Sequence, residues 1–191
     1  MIKALYILTF LLILFSCTEE LANPKPPTFL RTEFPKHEYI QYLNEDCSYR
    51  FLLPEIYHVK NVSDSAGNII CHKDIDLGPL NGIIHFSYIN MTEPLSSYVN
   101  YANNKVDDHK VMASAIEDLR ILHPEKRVFG TFFELQGNVA TPFHFYLTDS
   151  TSRFVSGVLY FNCSPNYDSL KPSIDYVKED LLKLVHSFEW R

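Results

Sequence analysis

The sequence lacks the short motifs that mark most nucleotide-binding and hydrolytic enzymes. It has only 6 glycines among 191 residues, too few to supply a phosphate-binding loop. Neither Gly-x-Ser-x-Gly nor His-Glu-x-x-His occurs, so the signatures of serine hydrolases and zinc peptidases are both absent. No Cys-x-x-Cys pair occurs either, which argues against a zinc ribbon and against a thioredoxin-like redox site. These absences predict a protein that is not an enzyme and that holds neither a cofactor nor a metal ion.

The chain is also poor in positive charge. Lys and Arg number 17 against 23 Asp and Glu, which gives a formal net charge of −6. An acidic chain is repelled by nucleic acid and by anionic lipid headgroups, so we expect no nucleic-acid partner. Aromatic residues are plentiful by contrast, with 14 Phe and 12 Tyr, and large rings should supply much of the core volume.

One long apolar run is present, at the N-terminus. Lys3 is followed by an apolar stretch over residues 5–15, and Ser16 stands directly before Cys17. This is the layout of a secretory signal peptide, and a cysteine at the cleavage point is typical of a bacterial lipoprotein. An uncleaved anchor helix is the alternative, but the run is shorter than the ~20 residues that span a bilayer. We predict that residues 1–16 are removed and that Cys17 carries acyl chains such as palmitate.

The mature chain divides into a tether and one globular domain. Residues 17–30 are polar and then proline-rich, a composition that cannot bury enough apolar area to fold. Residues 31–191 remain, about 160 in number, which suffice for one domain with a core. We expect the protein in the cell envelope, attached to a membrane through lipidated Cys17 and facing the periplasm, with the cell surface as the alternative. Glu19 and Glu20 are either a sorting signal for the surface or the solvated start of the tether.

Runs rich in β-branched and aromatic residues predict strands in two groups along the domain. The predicted strands cover residues 37–43, 49–53, 57–62, 69–71 and 82–88, then 127–135, 142–148 and 153–162. Between the groups one helix should start after Pro94 and pause near Asn103, and a second should start at Asp107 or Asp108. The second helix would bury Val111, Met112, Ala115, Ile116 and Leu119.

A closing helix is predicted to begin near Pro172. The residues on its buried face are Ile174, Val177, Leu181, Leu184 and Phe188. Strands, helices, strands and a closing helix together make an α+β fold, a single domain in which helices pack on an antiparallel sheet. The order of the elements resembles the Mog1/PsbP-like sandwich.

Three cysteines remain after Cys17. A disulfide is the usual state of a cysteine pair in an oxidising compartment, and we predict that Cys47 and Cys71 form one. The strand expected over residues 57–62 could pair with its neighbours and bring the two cysteines together. The bridge would contribute about 3 kcal/mol to stability by restricting the unfolded chain. Cys163 follows the last strand and is predicted to be a buried free thiol.

Few polar residues are placed to carry chemistry. His144 lies between two phenylalanines, and if their rings face the core it lies on the outside of its strand, where a structural or surface role is favoured over metal binding. His85 lies in an apolar strand and is predicted to be a core histidine with satisfied hydrogen bonds. Residues 107–109, Asp-Asp-His, look like a metal cluster, but two aspartates at the start of a helix are expected to cap it.

Several ordered sequence blocks match the pattern of one known family. Besides the signal peptide and Cys17, they cover residues 34–39, 47–54, 71, 84–88, 133–138, 145–150, 157–161, 165–169 and 187–190. Through these blocks the whole mature domain resembles the gliding motility lipoprotein family GldD. His72 departs from the pattern, because an aromatic residue is expected after the preceding cysteine.

The resemblance implies a lipoprotein needed for gliding over surfaces. Such a protein works with the envelope machinery that moves adhesins and secretes proteins by the type IX route. We therefore expect a non-catalytic scaffold or assembly factor whose partners are other proteins of that machinery. The family has no established catalytic residues, so none is assigned.

Two other functions stay open at this point. A small hydrolase-like envelope enzyme would show a deep pocket with convergent polar groups, and a carrier of an apolar ligand would show an enclosed apolar cavity. A scaffold would instead show a filled core and an exposed apolar patch.

The lipid anchor can be tested by substituting Cys17→Ala, which removes the predicted acylation site. The variant should lose acyl labelling and either leave the membrane fraction or accumulate as an uncleaved precursor. Metabolic labelling with a fatty acid and membrane fractionation measure both effects. Lipid labelling that persists unchanged in the variant would show that Cys17 is not the anchor.

Overall fold

The computed structural model describes residues 33–44 and 47–191. The predicted signal peptide, tether and lipidation site Cys17 lie outside the described residues. The strands are β1 (Tyr39–Asn44), β2 (Tyr49–Pro54), β3 (His58–Ser63), β4 (Ile69–Asp76), β5 (Gly82–Asn90), β6 (Ala113–His123), β7 (Val128–Gly137), β8 (Phe143–Thr148), β9 (Arg153–Phe161) and β10 (Glu189–Trp190). The helices are α1 (Leu95–Asp107) and α2 (Tyr167–Ser187), with short 3₁₀ turns at Gly78–Leu80 and Pro124–Lys126.

The strands form two antiparallel sheets. The large sheet has seven strands in the order β3-β4-β5-β9-β8-β7-β6, and the small sheet has three in the order β1-β2-β10. Antiparallel sheets with packed helices confirm the predicted α+β class. The hairpins β7–β8 and β8–β9 also follow the predicted meander.

The core lies between the inner face of the large sheet and a layer made of α2 and the small sheet. Side chains alternate between the two faces of a sheet, and those on the inner face form one buried cluster with α2 and β2. The α2 residues in this cluster include Ile174, Val177, Leu181 and Leu184, as the helical spacing predicted. The helix begins five residues earlier than Pro172 because the Asn166 side chain accepts a hydrogen bond from the Ser169 N–H (3.3 Å) and caps it.

Four aromatic rings meet where the two sheets and the end of α2 come together. Tyr49 and Phe51 of β2 lie 5.3 and 5.5 Å, between ring centroids, from Phe86 of β5. Phe188 follows α2 and lies 6.3 Å from Phe51. All four rings are buried, and each contributes about 1.5–3 kcal/mol through its burial.

The predicted disulfide is present, but it joins the two sheets. Cys47 and Cys71 are bonded, with their Cα atoms 5.8 Å apart. Cys47 precedes β2 of the small sheet, whereas Cys71 lies in β4 of the large sheet. The prediction that neighbouring strands would bring the cysteines together is therefore wrong, because among the described strands β3 pairs only with β4. Cys163 is free as predicted, but it is exposed, not buried.

The prediction of a helix that starts at Asp107 or Asp108 is wrong, because residues 113–123 form strand β6. Val111 and Met112 are 91% and 61% exposed, so they are not core residues. The apolar spacing fits a helix locally, but the long strand β7 offers a row of backbone groups along which β6 pairs from Ala113 to His123. Tertiary pairing of this kind outweighs local propensity.

Asp107 and Asp108 lie at the C-terminal end of α1 and cap no helix start. The helix runs through Asn103, where a pause was predicted. Acidic residues at this end oppose the helix dipole. Two lysines offset the effect: Lys110 Nζ lies 2.6 Å from Asp107, and Lys105 Nζ lies 3.9 Å from Asp108.

Removing the disulfide should lower the free energy of unfolding. The double substitution of Cys47 and Cys71 by serine frees a segment with a sequence separation of 24, which costs about 3 kcal/mol in the chain-entropy account. Chemical denaturation with and without reductant measures the loss. Cys163→Ser is the matched control and should leave the unfolding midpoint unchanged, and a bridge found to contain Cys163 would contradict the assigned pair.

Candidate functional site

Helix α1 lies across the outer face of the large sheet, opposite α2. Its last turn buries Val106 against Leu135 and Val139 in a second, smaller core. Near its start, Tyr98 lies 5.6 Å from Phe154 of β9, between ring centroids. One helix covers only part of this face, and a cleft remains on each side of it.

The larger cleft, of about 740 Å³, lies between α1 and strands β6 and β7. Its walls are mixed: they include apolar residues such as Val99, Ile116 and Phe133 and about as many polar or charged ones. Asp118 and Arg120 also line it, and neither side chain forms an ion pair or hydrogen bond with another described residue. The cleft thus combines apolar and polar surface with two unpaired charges of opposite sign.

The smaller cleft, of about 290 Å³, lies on the other side of α1, over β5, β9 and β8. His85 lines it and is not a core residue, so that prediction is wrong. The side chain is 52% exposed, and its Nδ1 lies 2.7 Å from Asp74 Oδ1. His85 points to the outer face, whereas its neighbours Ile84 and Phe86 point into the core.

His144 is buried, which contradicts the predicted surface position. Its side chain does point away from Phe143 and Phe145, but residues of α1 line the same cleft and cover this side of the strand. Its Nε2 lies 2.8 Å from Thr141 Oγ1, and its ring lies 5.5 Å from that of His109. Burial, and to a smaller extent His109, lowers the pKa of His144 from 6.5 to about 4. His144 is therefore neutral at physiological pH.

Asp149 holds the tight turn between β8 and β9. Its Oδ1 accepts hydrogen bonds from the N–H groups of Thr151, Ser152 and Arg153, at 2.8–3.0 Å. Its Oδ2 accepts from the Arg153 Nε at 2.9 Å. Burial raises the pKa of Asp149, but these hydrogen bonds outweigh it and hold the pKa below its usual range. Both carboxylate oxygens thus accept hydrogen bonds from residues of the turn.

A buried carboxylate that the sequence analysis missed lies on α2. Asp180 is 1% exposed and receives hydrogen bonds from the hydroxyls of Tyr57 (2.6 Å) and Tyr39 (3.0 Å). The His37 Nδ1 lies 2.7 Å from it. Burial and the nearby Asp180 raise the pKa of Tyr57 well above its usual value. A buried carboxylate is stable only with such partners.

This Asp180 cluster ties the start of the domain to α2. The Tyr176 ring stacks on Phe34 and on His37, with centroid distances of 4.7 and 4.2 Å. One sequence signal could have revealed the cluster. Asp180 interrupts the apolar stripe of α2 between Val177 and Leu181, and a carboxylate in such a stripe needs buried donors.

The described part of the chain shows neither a metal-binding group nor a membrane-spanning helix. Within residues 33–44 and 47–191, no three His, Cys, Asp or Glu side chains are placed to hold a metal ion. No helix in these ranges combines the length and the apolar character needed to cross a bilayer.

Residues 19–190 match the family described as gliding motility lipoprotein GldD. The chain belongs to the GldD family. No curated protein sequence matches it. Among solved structures it is similar to the solution structure of cyanobacterial PsbP (CyanoP) from Synechocystis sp. PCC 6803. The identity is 11%, the match covers 87% of this chain and 100% of that chain, and the TM-score is 0.45.

The last block of the GldD resemblance, residues 187–190, closes the fold of this family member. Ser187 Oγ accepts a hydrogen bond from the Leu52 N–H at 2.8 Å, and Phe188 is buried in the core. The Trp190 indole N–H donates to the Arg127 carbonyl at 2.9 Å. These residues hold the C-terminus against the rest of the domain.

The neutral state of His144 predicts a pH-dependent stability. The folded protein resists protonation of His144 down to about pH 4, whereas the unfolded chain binds a proton below about pH 6.5. The unfolded state therefore binds more protons between these values, and stability falls as the pH falls through this window. The loss attributable to His144 is about 3 kcal/mol.

Substituting His144→Gln should remove this part of the pH dependence. Denaturation between pH 7 and pH 4 should show the wild-type protein losing about 3 kcal/mol more than the variant. His85→Gln is the control, because it also removes a histidine from the outer face but one whose side chain is exposed. Equal slopes for the wild-type protein and His144→Gln would mean that His144 does not cause the dependence.

Proposed function

We propose that this GldD-family protein is a non-catalytic scaffold or assembly factor of the gliding motility and type IX secretion machinery. In this proposal it is held to an envelope membrane through lipidated Cys17, faces the periplasm, and contacts other proteins of the machinery. Family membership supports a lipoprotein that acts in gliding motility. The finer role is supported by how the domain uses its polar residues.

The observation that carries the proposal is that three buried polar side chains, those of Asp149, Asp180 and His144, are engaged in the fold. Asp149 is saturated by the hydrogen bonds of a turn. Asp180 is enclosed by donors that join the N-terminal segment to α2. His144 is buried and neutral against Thr141. Groups used in this way are poor candidates for proton transfer or nucleophilic attack, which need a side chain within reach of a substrate.

Exposed apolar side chains support a role in protein contact. Four of them cluster in sequence at the end of α1 and along β6. Their exposed fractions are 91% for Val111, 61% for Met112, 46% for Leu119 and 63% for Leu122. These side chains lie on or beside β6, at the edge of the large sheet, and an edge strand with exposed apolar side chains is a template for pairing with another chain.

The larger cleft supports one competing function, the carriage of a small apolar ligand. Its volume of about 740 Å³ falls within the usual range of ligand sites, and part of its wall is apolar, but it is an open cleft and not the enclosed apolar cavity expected of a carrier. Val99 lines this cleft from α1, so Val99→Trp would narrow it and obstruct a ligand there. The scaffold proposal expects this variant to support gliding, whereas a carrier would lose function.

The scaffold proposal is tested by comparing single substitutions with deletion of the gene. Variants of His85, Asp108, His109, His144 and Asp149 should each keep colony spreading and secretion of type IX cargo wherever the protein reaches its normal level. Deletion should abolish spreading and lower secretion. Spreading assays, cargo immunoblots and protein levels are measured together.

Truncation before Tyr167 provides the matched loss-of-fold control. It removes α2, and each core side chain that loses its cover costs about 1.5–3 kcal/mol, which a marginally stable domain cannot absorb. The truncated protein should behave like the deletion. A single polar substitution that reproduces the deletion at normal protein level would instead favour an enzyme.

A further inference from the structure

Strand β6 ends the large sheet with a long free edge. It has 11 residues, and no other described strand pairs with its outer side. The opposite edge, β3, is protected: it has 6 residues, a register shift at Asn61–Ser63 and the exposed Lys60. Short length, bulges and lysine are the usual devices that keep an edge from pairing. Strand β6 contains neither Lys nor Pro, and its register shift is confined to its start.

The backbone groups that face outward from β6 can be assigned from its neighbours. The Leu135 N–H donates to the Pro142 carbonyl (2.8 Å), so Leu135 directs its backbone groups away from β6. Alternate residues of a strand direct these groups to opposite sides. Glu134 and Phe132 therefore bond to their β6 partners, Glu117 and Leu119. The β6 residues whose N–H and C=O groups face the free edge are then Ile116, Asp118, Arg120 and Leu122.

The side chains of those four residues have a self-complementary order. All four line the larger cleft on the outer face of the sheet, in the sequence apolar, acidic, basic, apolar. Reversing a second copy of the strand gives apolar, basic, acidic, apolar. An antiparallel pair of identical strands would thus place opposite charges face to face at the centre and apolar side chains at both ends.

We propose that two copies of this protein associate through their β6 edges around a two-fold axis at Leu119. Asp118 of each copy then lies directly opposite Arg120 of the other, and Ile116 lies opposite Leu122. Directly opposed charges of opposite sign stabilise an antiparallel pair, as do apolar pairs. The outward backbone groups of each strand meet those of its partner, and the two large sheets become one continuous sheet.

The charges select this register over its neighbours. Moving the axis by one residue in one direction places Asp118 opposite Asp118, and in the other direction Arg120 opposite Arg120. Like charges directly opposed destabilise a strand pair. The same residue pattern therefore favours one symmetric arrangement, as closed two-fold dimers require.

A cysteine at the proposed axis tests the arrangement in the full-length protein in cells. In this register the two Leu119 residues form a non-hydrogen-bonded pair with Cα atoms about 4.5 Å apart, within the range of a disulfide. Leu119→Cys, made with Cys163→Ser to remove the exposed free thiol, should give a disulfide-linked dimer on a non-reducing gel. Lys60→Cys in the same background is the control for random collision, because Lys60 is exposed on the other edge of the sheet.

Charge reversal then tests the pairing itself. Adding Asp118→Arg to the Leu119→Cys protein places Arg opposite Arg twice and should lower the cross-linked fraction about tenfold. Arg120→Asp should do the same. The double reversal, Asp118→Arg with Arg120→Asp, restores opposite charges and should restore the cross-link. Both side chains are exposed, and protein levels of all variants are compared to confirm folding.

Four results would overturn the proposal. In the first, the Leu119→Cys variant is cross-linked to a different protein, and in the second it gives no cross-linked dimer in the presence of oxidant. In the third, the Lys60→Cys control gives as large a cross-linked fraction as Leu119→Cys. In the fourth, the cross-linked fraction of the double reversal stays as low as that of the single reversals. The first would identify a heterologous partner at this edge. The last would show that contact at β6 does not use the Asp118–Arg120 register.

Discussion

A seven-stranded sheet has two faces, and the apolar side chains on each face need cover. The inner face receives α2, the small sheet and the aromatic side chains between them. The outer face receives only α1, a helix of 13 residues, which is roughly 20 Å long at 1.5 Å per residue. Seven strands spaced about 4.8 Å apart extend roughly 30 Å across the sheet. The shortage of cover on the outer face explains the cleft on each side of α1.

The predictions from the sequence that were right are those that depend on local residue patterns. The α2 stripe was predictable because Ile174, Val177 and Leu181 bury a face by spacing alone. Most strands were predictable because their runs of β-branched and aromatic residues are flanked by turn residues. The class of fold followed from the order of these elements. None of this required knowledge of which elements meet in space.

The errors arose where contacts distant in sequence decide the outcome. His144 alternates away from two core rings, yet α1 lies above it and buries it. Residues 113–123 have the spacing of a helix, but the long partner strand β7 draws them into the sheet. Cys47 and Cys71 pair across two sheets, and a correct pairing was predicted from an incorrect strand arrangement. The Asp180 cluster joins residues 37, 39, 57 and 180, and only the three-dimensional fold brings them together.

The buried charges show how this domain uses its polar groups. Asp149 is held by backbone N–H groups within four residues of itself, so its contribution is local. Asp180 is held by side chains more than 120 residues away, so it connects the first strand to the last helix. Both carboxylates fix the geometry of the chain, since an unsatisfied buried charge would destabilise any other arrangement.

Motif searches are therefore a poor guide to what this domain does. A catalytic site is recognised by residue types, but pairing along a sheet edge uses backbone N–H and C=O groups that every residue except proline carries. Such a surface leaves a different trace in the sequence: strand length, the absence of edge protection, and the order of the outward side chains. In β6 the trace lies in the alternate residues of the run Ile116-Glu-Asp-Leu-Arg-Ile-Leu122: two-fold symmetry about Leu119 pairs Asp118 with Arg120 and Ile116 with Leu122. The symmetry becomes meaningful only once the fold places that run at an edge, because in a helix the same residues would not lie opposite one another in a second copy.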